Sequence, residues 1–304
     1  MPKPPKTLYH YCSVAAAHSI LSTRKIRLSP LANANDMLEG RLIASELATR
    51  LAKSQVSNGL GDFARFTAST YADHTDGFAF CMSEQGDLLS QWRAYGFDGE
   101  GFSIGFDYSE LVKDFGEVNF GSKFFEISPV DYGVEKTCDL LDSVTTELER
   151  IDKKFGDTVR LNSKYSIESA ITGVKGMYEN IPSLFLFSGT QEHNSAFMKE
   201  ALSALQELHF KIYFFKDAGF QEEREWRALR YRHRDNHPEI TYIAHQNGIR
   251  PTIECFIADP AKKVISEVLI GPKNRTDETW MVAYLARVGL GHVRVGRSSV
   301  KGYR

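Results

Sequence analysis

At 304 residues the chain is long enough to bury a sizeable core, as one large domain or two small ones. Its 42% hydrophobic and 25% charged content is ordinary for a soluble globular protein, and a formal net charge of -2 argues against broad electrostatic attraction to nucleic acid or membrane. Cys12, Cys81, Cys138 and Cys255 are scattered without a CxxC pair, which argues against a cysteine-built zinc site and a disulfide framework. With no secretory signal after Met1-Pro2-Lys3 and no apolar run of membrane-spanning length, a reduced, cytoplasmic protein is expected.

In chain order, Leu8-Tyr9-His10-Tyr11 reads as a strand, alternating and rich in aromatics. Ser13 is placed to cap a short helix reaching Ser22, and Lys25 to Ser29 reads as a second strand closed by Pro30. A turn-rich loop is expected from Asn33 to Gly40, then an amphipathic helix from Glu39 to Lys53. Gly77 to Met82 is an apolar run of strand length, after which Asp87 is expected to cap a short helix carrying Trp92 and Tyr95. Gly101 to Phe106 and Phe124 to Tyr132 read as strands. Leu140, Leu141, Val144, Leu148 and Ile151 repeat at helical spacing within Thr137 to Lys153, and Ile167 to Met177 and Ala196 to Phe210 read as further helices. Strand signals return at Arg224–Arg230, Glu239–Ala244, Thr252–Ile257 and Val264–Ile270, before a helix from Asp277 to Val288 and a strand at His292–Val295. The pattern implies a single α+β domain over residues 1–304 with a helical insertion at about 134–212.

The chemistry-bearing stretch is Glu223-Arg224-Glu225-Trp226-Arg227, after the aromatic run Tyr213-Phe214-Phe215-Lys216. On a strand, Glu223, Glu225 and Arg227 share one face and Arg224, Trp226 and Ala228 the other, which sets the two carboxylates roughly 7 Å apart. Such a pair can hold hydroxyls, stabilise a developing cation or take a proton. The plainer alternative is that both carboxylates pair with neighbouring arginines.

The opening unit, Leu8-Tyr9-His10-Tyr11-Cys12-Ser13 through Ile20-Leu21 to Lys25-Ile26-Arg27-Leu28-Ser29-Pro30, resembles the start of the ADP-ribosyltransferase superfamily. The resemblance implies a split β-sheet with NAD, the substrate, lying across the gap. It implies nucleotide contacts from His10, Tyr11, Arg27 and Ser29, from Ser83 after the strand at 77–82, and from Trp92 or Tyr95 as a stacking ring. Glu225 is then expected to stabilise the ribosyl cation and Glu223 to orient or deprotonate an acceptor of unspecified kind: protein, nucleic acid, small molecule or water. The chain also resembles a large uncharacterised bacterial family, domain of unknown function 2971. It does so through Leu8–Tyr11, Asn35-Asp36 with Glu39-Gly40, Cys81-Met82-Ser83-Glu84, Trp92, Tyr95-Gly96, Gly105-Phe106-Asp107, Glu223–Arg227 and Ile270-Gly271-Pro272. Two other classes stay open: a metal-dependent nuclease using Glu223, Glu225 and Asp36 or Asp87, and a non-catalytic nucleotide-binding or protein-interaction module.

Overall fold

The computed structural model describes residues 3–31, 42–118, 125–173, 181, 183–233, 238–245, 248–257 and 263–301. The expected loop from Asn33 to Gly40, with Asn35, Asp36 and Glu39, lies outside them. The chain runs β1 (Thr7–Cys12), α1 (Val14–Thr23), β2 (Lys25–Pro30), α2 (Leu42–Leu51), α3 (Asn58–His74), β3 (Thr75–Ser83), α4 (Leu89–Ala94), β4 (Phe102–Asp107) and α5 (Tyr108–Val118). It continues with β5 (Phe125–Pro129), β6 (Asp131–Tyr132), α6 (Cys138–Phe155), β7 (Val159–Leu161), α7 (Ile167–Gly173), β8 (Phe185–Phe187), α8 (Gln191–Lys211) and β9 (Phe215–Lys216). The last elements are β10 (Glu225–His233), β11 (Ile240–His245), β12 (Gly248–Phe256), β13 (Ile265–Ile270), α9 (Glu278–Arg287) and β14 (Arg294–Arg297). The class is α+β, with a mixed sheet: β13 and β14 run parallel, and the other pairings of the main sheet are antiparallel.

Local chemistry sets the element ends. Ser13 accepts a hydrogen bond from the Ala16 amide at 3.2 Å and caps α1, and Asp277 accepts from the Thr279 and Trp280 amides and caps α9. Two expectations are corrected. Asp87 does not cap α4, whose N-cap is Leu88 without a side-chain bond; instead Asp87 accepts from Trp92 Nε1 at 2.7 Å, from Ser298 Oγ at 2.6 Å, and from the Ser299 amide and hydroxyl at 2.7 Å each. Glu223 is not on the strand: Ala218–Glu223 is a 3₁₀ turn and Arg224 is left-handed (φ 45°), so β10 starts at Glu225.

The ladder of β3 with β10 is the middle of the molecule. It pairs residue by residue from Glu225↔Ser83 to His233↔Thr75. One face, with Ala79, Leu229 and Tyr231, is buried against a helical layer including Leu47 of α2, Phe63 of α3, Leu148 of α6 and Phe197 and Leu205 of α8. The other face, with Phe78, Phe80, Met82, Trp226 and Ala228, is buried against Leu8, Ile20, Ile104, Phe106, Val268 and Leu285. The period-two alternation of β10 therefore serves two cores at once.

The opposite edge of β3 is shared. β2 pairs with it at Ser29↔Ala79 and Pro30↔Phe78, and β1 at Tyr9↔Ser83. The sheet forks there, β1 continuing into β4, β13 and β14, and β2 into β12 and β11. Between the two branches, residues 80–82 have no ladder partner on that edge among the described residues.

Candidate active site

Phe80, Cys81 and Met82, at the fork, line a cavity of about 460 Å³, a size suited to a small-molecule ligand. His10 enters it from β1. Its Nδ1 lies 2.8 Å from the Cys81 carbonyl oxygen, so Nδ1 carries the proton and donates, while Nε2 remains an acceptor. The ring thus serves a carbonyl that the fork has left without a strand partner. It stacks on Phe80 with centroids 4.1 Å apart. Burial pushes the imidazole pKa down to about 4, offset in part by the Cys81 bond, so His10 is neutral near pH 7.

The carboxylate pair enters from the β10 side. Lys216 of β9 lies between them, its Nζ 2.7 Å from Glu223 Oε2 and 3.3 Å from Glu225 Oε2. Glu225 also accepts from Arg227, Nε to Oε1 at 2.8 Å and Nη2 to Oε2 at 2.9 Å. Burial alone would raise the Glu225 carboxyl, but Arg227 and then Lys216 outweigh it and hold it down at about 2. Burial likewise opposes the charge on Lys216, yet Glu225 and Glu223 prevail and raise its pKa. Glu223 Oε1 accepts from the Tyr95 hydroxyl at 3.0 Å. Both carboxylates thus share a cation although only Glu225 lies on the strand.

Arg27 of β2 and Arg250 of β12 line the far side. Arg27 Nε donates to Glu254 at 3.1 Å, and Arg250 has no ion-pair partner among the described residues. The register separates Ala79, beside Ser29, from Ser83, beside Glu225, by four residues, or roughly 13 Å along β3. The cavity is therefore basic on the β2–β12 side and carries its carboxylates on the β10 side.

His10, Tyr11, Arg27, Ser29, Tyr95, Glu223 and Glu225 all line this cavity. Tyr11 is buried, and its hydroxyl is taken, donating to Gln85 O and accepting from the Leu88 amide, both at 2.8 Å. Ser83 and Trp92 do not line it. Ser83 Oγ donates to Glu223 O at 2.8 Å and accepts from the Gln85 amide, pinning two turns together. Trp92 is fully buried, edge-on to Tyr11, with Nε1 bound to Asp87. Arg24, just before β2, donates to the carbonyls of Leu21 and Val288. Lining residues not singled out from the sequence include Tyr9, Gln91 and Arg250. Gln91 was within reach, since it lies four positions before Tyr95 and so shares its helix face; Arg250 carries no local signal.

Among the described residues, no group of three or more His, Cys, Asp or Glu is placed to hold a metal ion, and no helix is long and apolar enough to cross a membrane. The site is thus a cavity in a forked mixed sheet, built on a neutral imidazole, a pair of lysine-bridged carboxylates and three arginines. Residues 91–228 match the family model described as protein of unknown function (DUF2971). The matched segment includes Gln91, Tyr95, Lys216, Glu223 and Glu225, and leaves His10, Arg27 and Arg250 outside it. No curated protein and no solved structure matches the chain.

Proposed function

We propose that the cavity binds NAD and that the protein is an ADP-ribosyltransferase, or an NAD glycohydrolase where water is the acceptor. The observation that carries this reading is the convergence of His10 and the Glu223/Glu225 pair on one cavity at the fork of the sheet. The resemblance of the opening unit to that superfamily leads to the expectation of a gap in the sheet, and the open edge of β3 between β1 and β2 supports the reading. Arg27 and Arg250 suit the pyrophosphate, because guanidinium binds phosphate through paired hydrogen bonds. Neutral His10, with Nε2 open as an acceptor, suits a ribose hydroxyl.

In the reaction, the bond from ribose C1′ to the pyridinium nitrogen breaks and its electron pair stays on nitrogen, releasing neutral nicotinamide. The cation left on the ribose is stabilised by the carboxylate side of the cavity. A lone pair of the acceptor forms the new bond to C1′, and the acceptor's proton passes through a carboxylate to solvent. A metal-dependent reading is less favoured because Lys216 and Arg227 hold both oxygens of Glu225 and Lys216 one of Glu223, so a divalent ion bridging the pair would have to displace both cations.

Calorimetric titration with NAD, alongside chromatographic detection of nicotinamide, tests the proposal. Saturable heat with nicotinamide release is expected, and His10→Ala should weaken binding at least ~10-fold, the scale of one lost buried hydrogen bond. Saturable heat without release would leave a binding module, and neither signal would remove NAD from the account.

A further inference from the structure

We infer that Glu223 is the carboxylate that meets the ribose, and that Glu225 is a positioning residue. This reverses the order expected from the Glu-x-Glu motif, and it rests on the NAD-cleaving reading above.

The geometry separates the two side chains. Both oxygens of Glu225 are held by Arg227, at 2.8 and 2.9 Å, and Oε2 also by Lys216 at 3.3 Å. Arg227 is itself only 1% exposed, and its Nη1 donates to the Tyr213 carbonyl, so the clamp is fixed at its far end. The Glu225 backbone is fixed too, its amide donating to Tyr132 Oη at 2.7 Å. A substrate hydroxyl reaching Glu225 meets a charge already neutralised by two cations and a pair that must be broken in a buried setting.

Glu223 is built differently. It sits on the turn before β10, and each of its oxygens has one bond, Oε1 to Tyr95 at 3.0 Å and Oε2 to Lys216 at 2.7 Å. A carboxylate accepts about four hydrogen bonds, so Glu223 keeps acceptor capacity beside the cavity it lines. Its partner Tyr95 is partly exposed and lines the same cavity, so its phenol can yield to an entering hydroxyl without opening a buried pair. Glu225 acts one step back: it fixes Lys216, and Lys216 fixes Glu223.

The test is steady-state nicotinamide release by the full chain. Glu223→Gln is expected to lose about 100-fold or more in kcat, with little change in KM or in the urea midpoint, and Glu223→Asp to recover part of it. Glu225→Gln leaves Arg227 unpaired and can fail by unfolding, so the second variant is Glu225→Leu with Arg227→Leu, which leaves Lys216 and Glu223 paired and the charge balanced. That double variant is expected to stay folded and to lose about tenfold in kcat, far less than Glu223→Gln, because Lys216 loses one of its two carboxylate anchors while Glu223 itself stays in place. A folded double variant losing 100-fold in kcat, or a Glu223→Gln variant that keeps its turnover, overturns the inference while leaving the NAD reading in place. A parent protein that releases no nicotinamide overturns both.

Discussion

Half-buried His10 and buried His209 are both imidazoles stacked on an aromatic ring, and desolvation lowers the pKa of each to about 4. His209, on α8, lies flat on Tyr71 of α3 at 3.9 Å, inside the helical layer, and its Nε2 has no hydrogen-bond partner among the described residues. His10 lies at the fork, one nitrogen bound to Cys81 and the other side of the ring beside open space shared with four cations and two carboxylates. A lowered pKa therefore does not separate a site from a core. What separates them is convergence: several polar side chains from different strands facing one volume, against a single polar atom enclosed by apolar neighbours.

The largest expected effect comes from unbalancing the charged region. Arg227→Ala leaves Glu225 buried without its clamp and should cost about 3–5 kcal/mol in urea unfolding. The Glu225→Leu/Arg227→Leu double variant should recover most of that loss. An Arg227→Ala chain as stable as the parent would mean that the clamp is not formed.

A smaller effect is shared by the two histidines. Each is neutral when folded and has a folded pKa below its unfolded value of 6.5. Their stabilisation is fully present above about pH 6.5 and is lost as pH falls toward about 4, because the unfolded chain takes up protons first. Each contributes at most about 3 kcal/mol to this loss. Urea midpoints at pH 7.5 and pH 4.5 measure it, and equal midpoints would refute it.

The smallest effect sharpens the contrast. His209→Phe keeps the stacking on Tyr71 and removes an unsatisfied nitrogen, so stability at pH 7.5 should change by less than about 1 kcal/mol. Its acid sensitivity should shrink, whereas the NAD titration should be untouched.

Much of the fold was legible because its strands are short apolar or alternating runs bounded by turn residues, as at β1, β2 and β3. α3 escaped notice for a physical reason. Leu60, Phe63, Ala64, Phe66, Thr67, Ala68 and Thr70 are all buried, so the helix has neighbours on most sides, and Gly59 and Gly61 blur its start. At the site, the pairing of an imidazole with acids and a split in the sheet were both implied by the motif resemblance, but which strands flank the split was not, since nothing local states that β1 and β2 share one edge of β3. The position of Glu223 was misread because strand alternation was extended across Arg224, whose left-handed backbone is unusual for a residue with a β-carbon. Arg250 was invisible because its relevance depends on β12 pairing with β2, far away in the chain.

The four bonds accepted by Asp87 tie Ser298 and Ser299, just beyond β14, to Trp92 in α4. That same short helix carries Gln91 and ends at Tyr95, the partner of Glu223. Residues 298 and 299 therefore work as a latch on one wall of the cavity. Any alteration that unseats those two serines will be felt more than 200 positions upstream, at the wall that Gln91 and Tyr95 form.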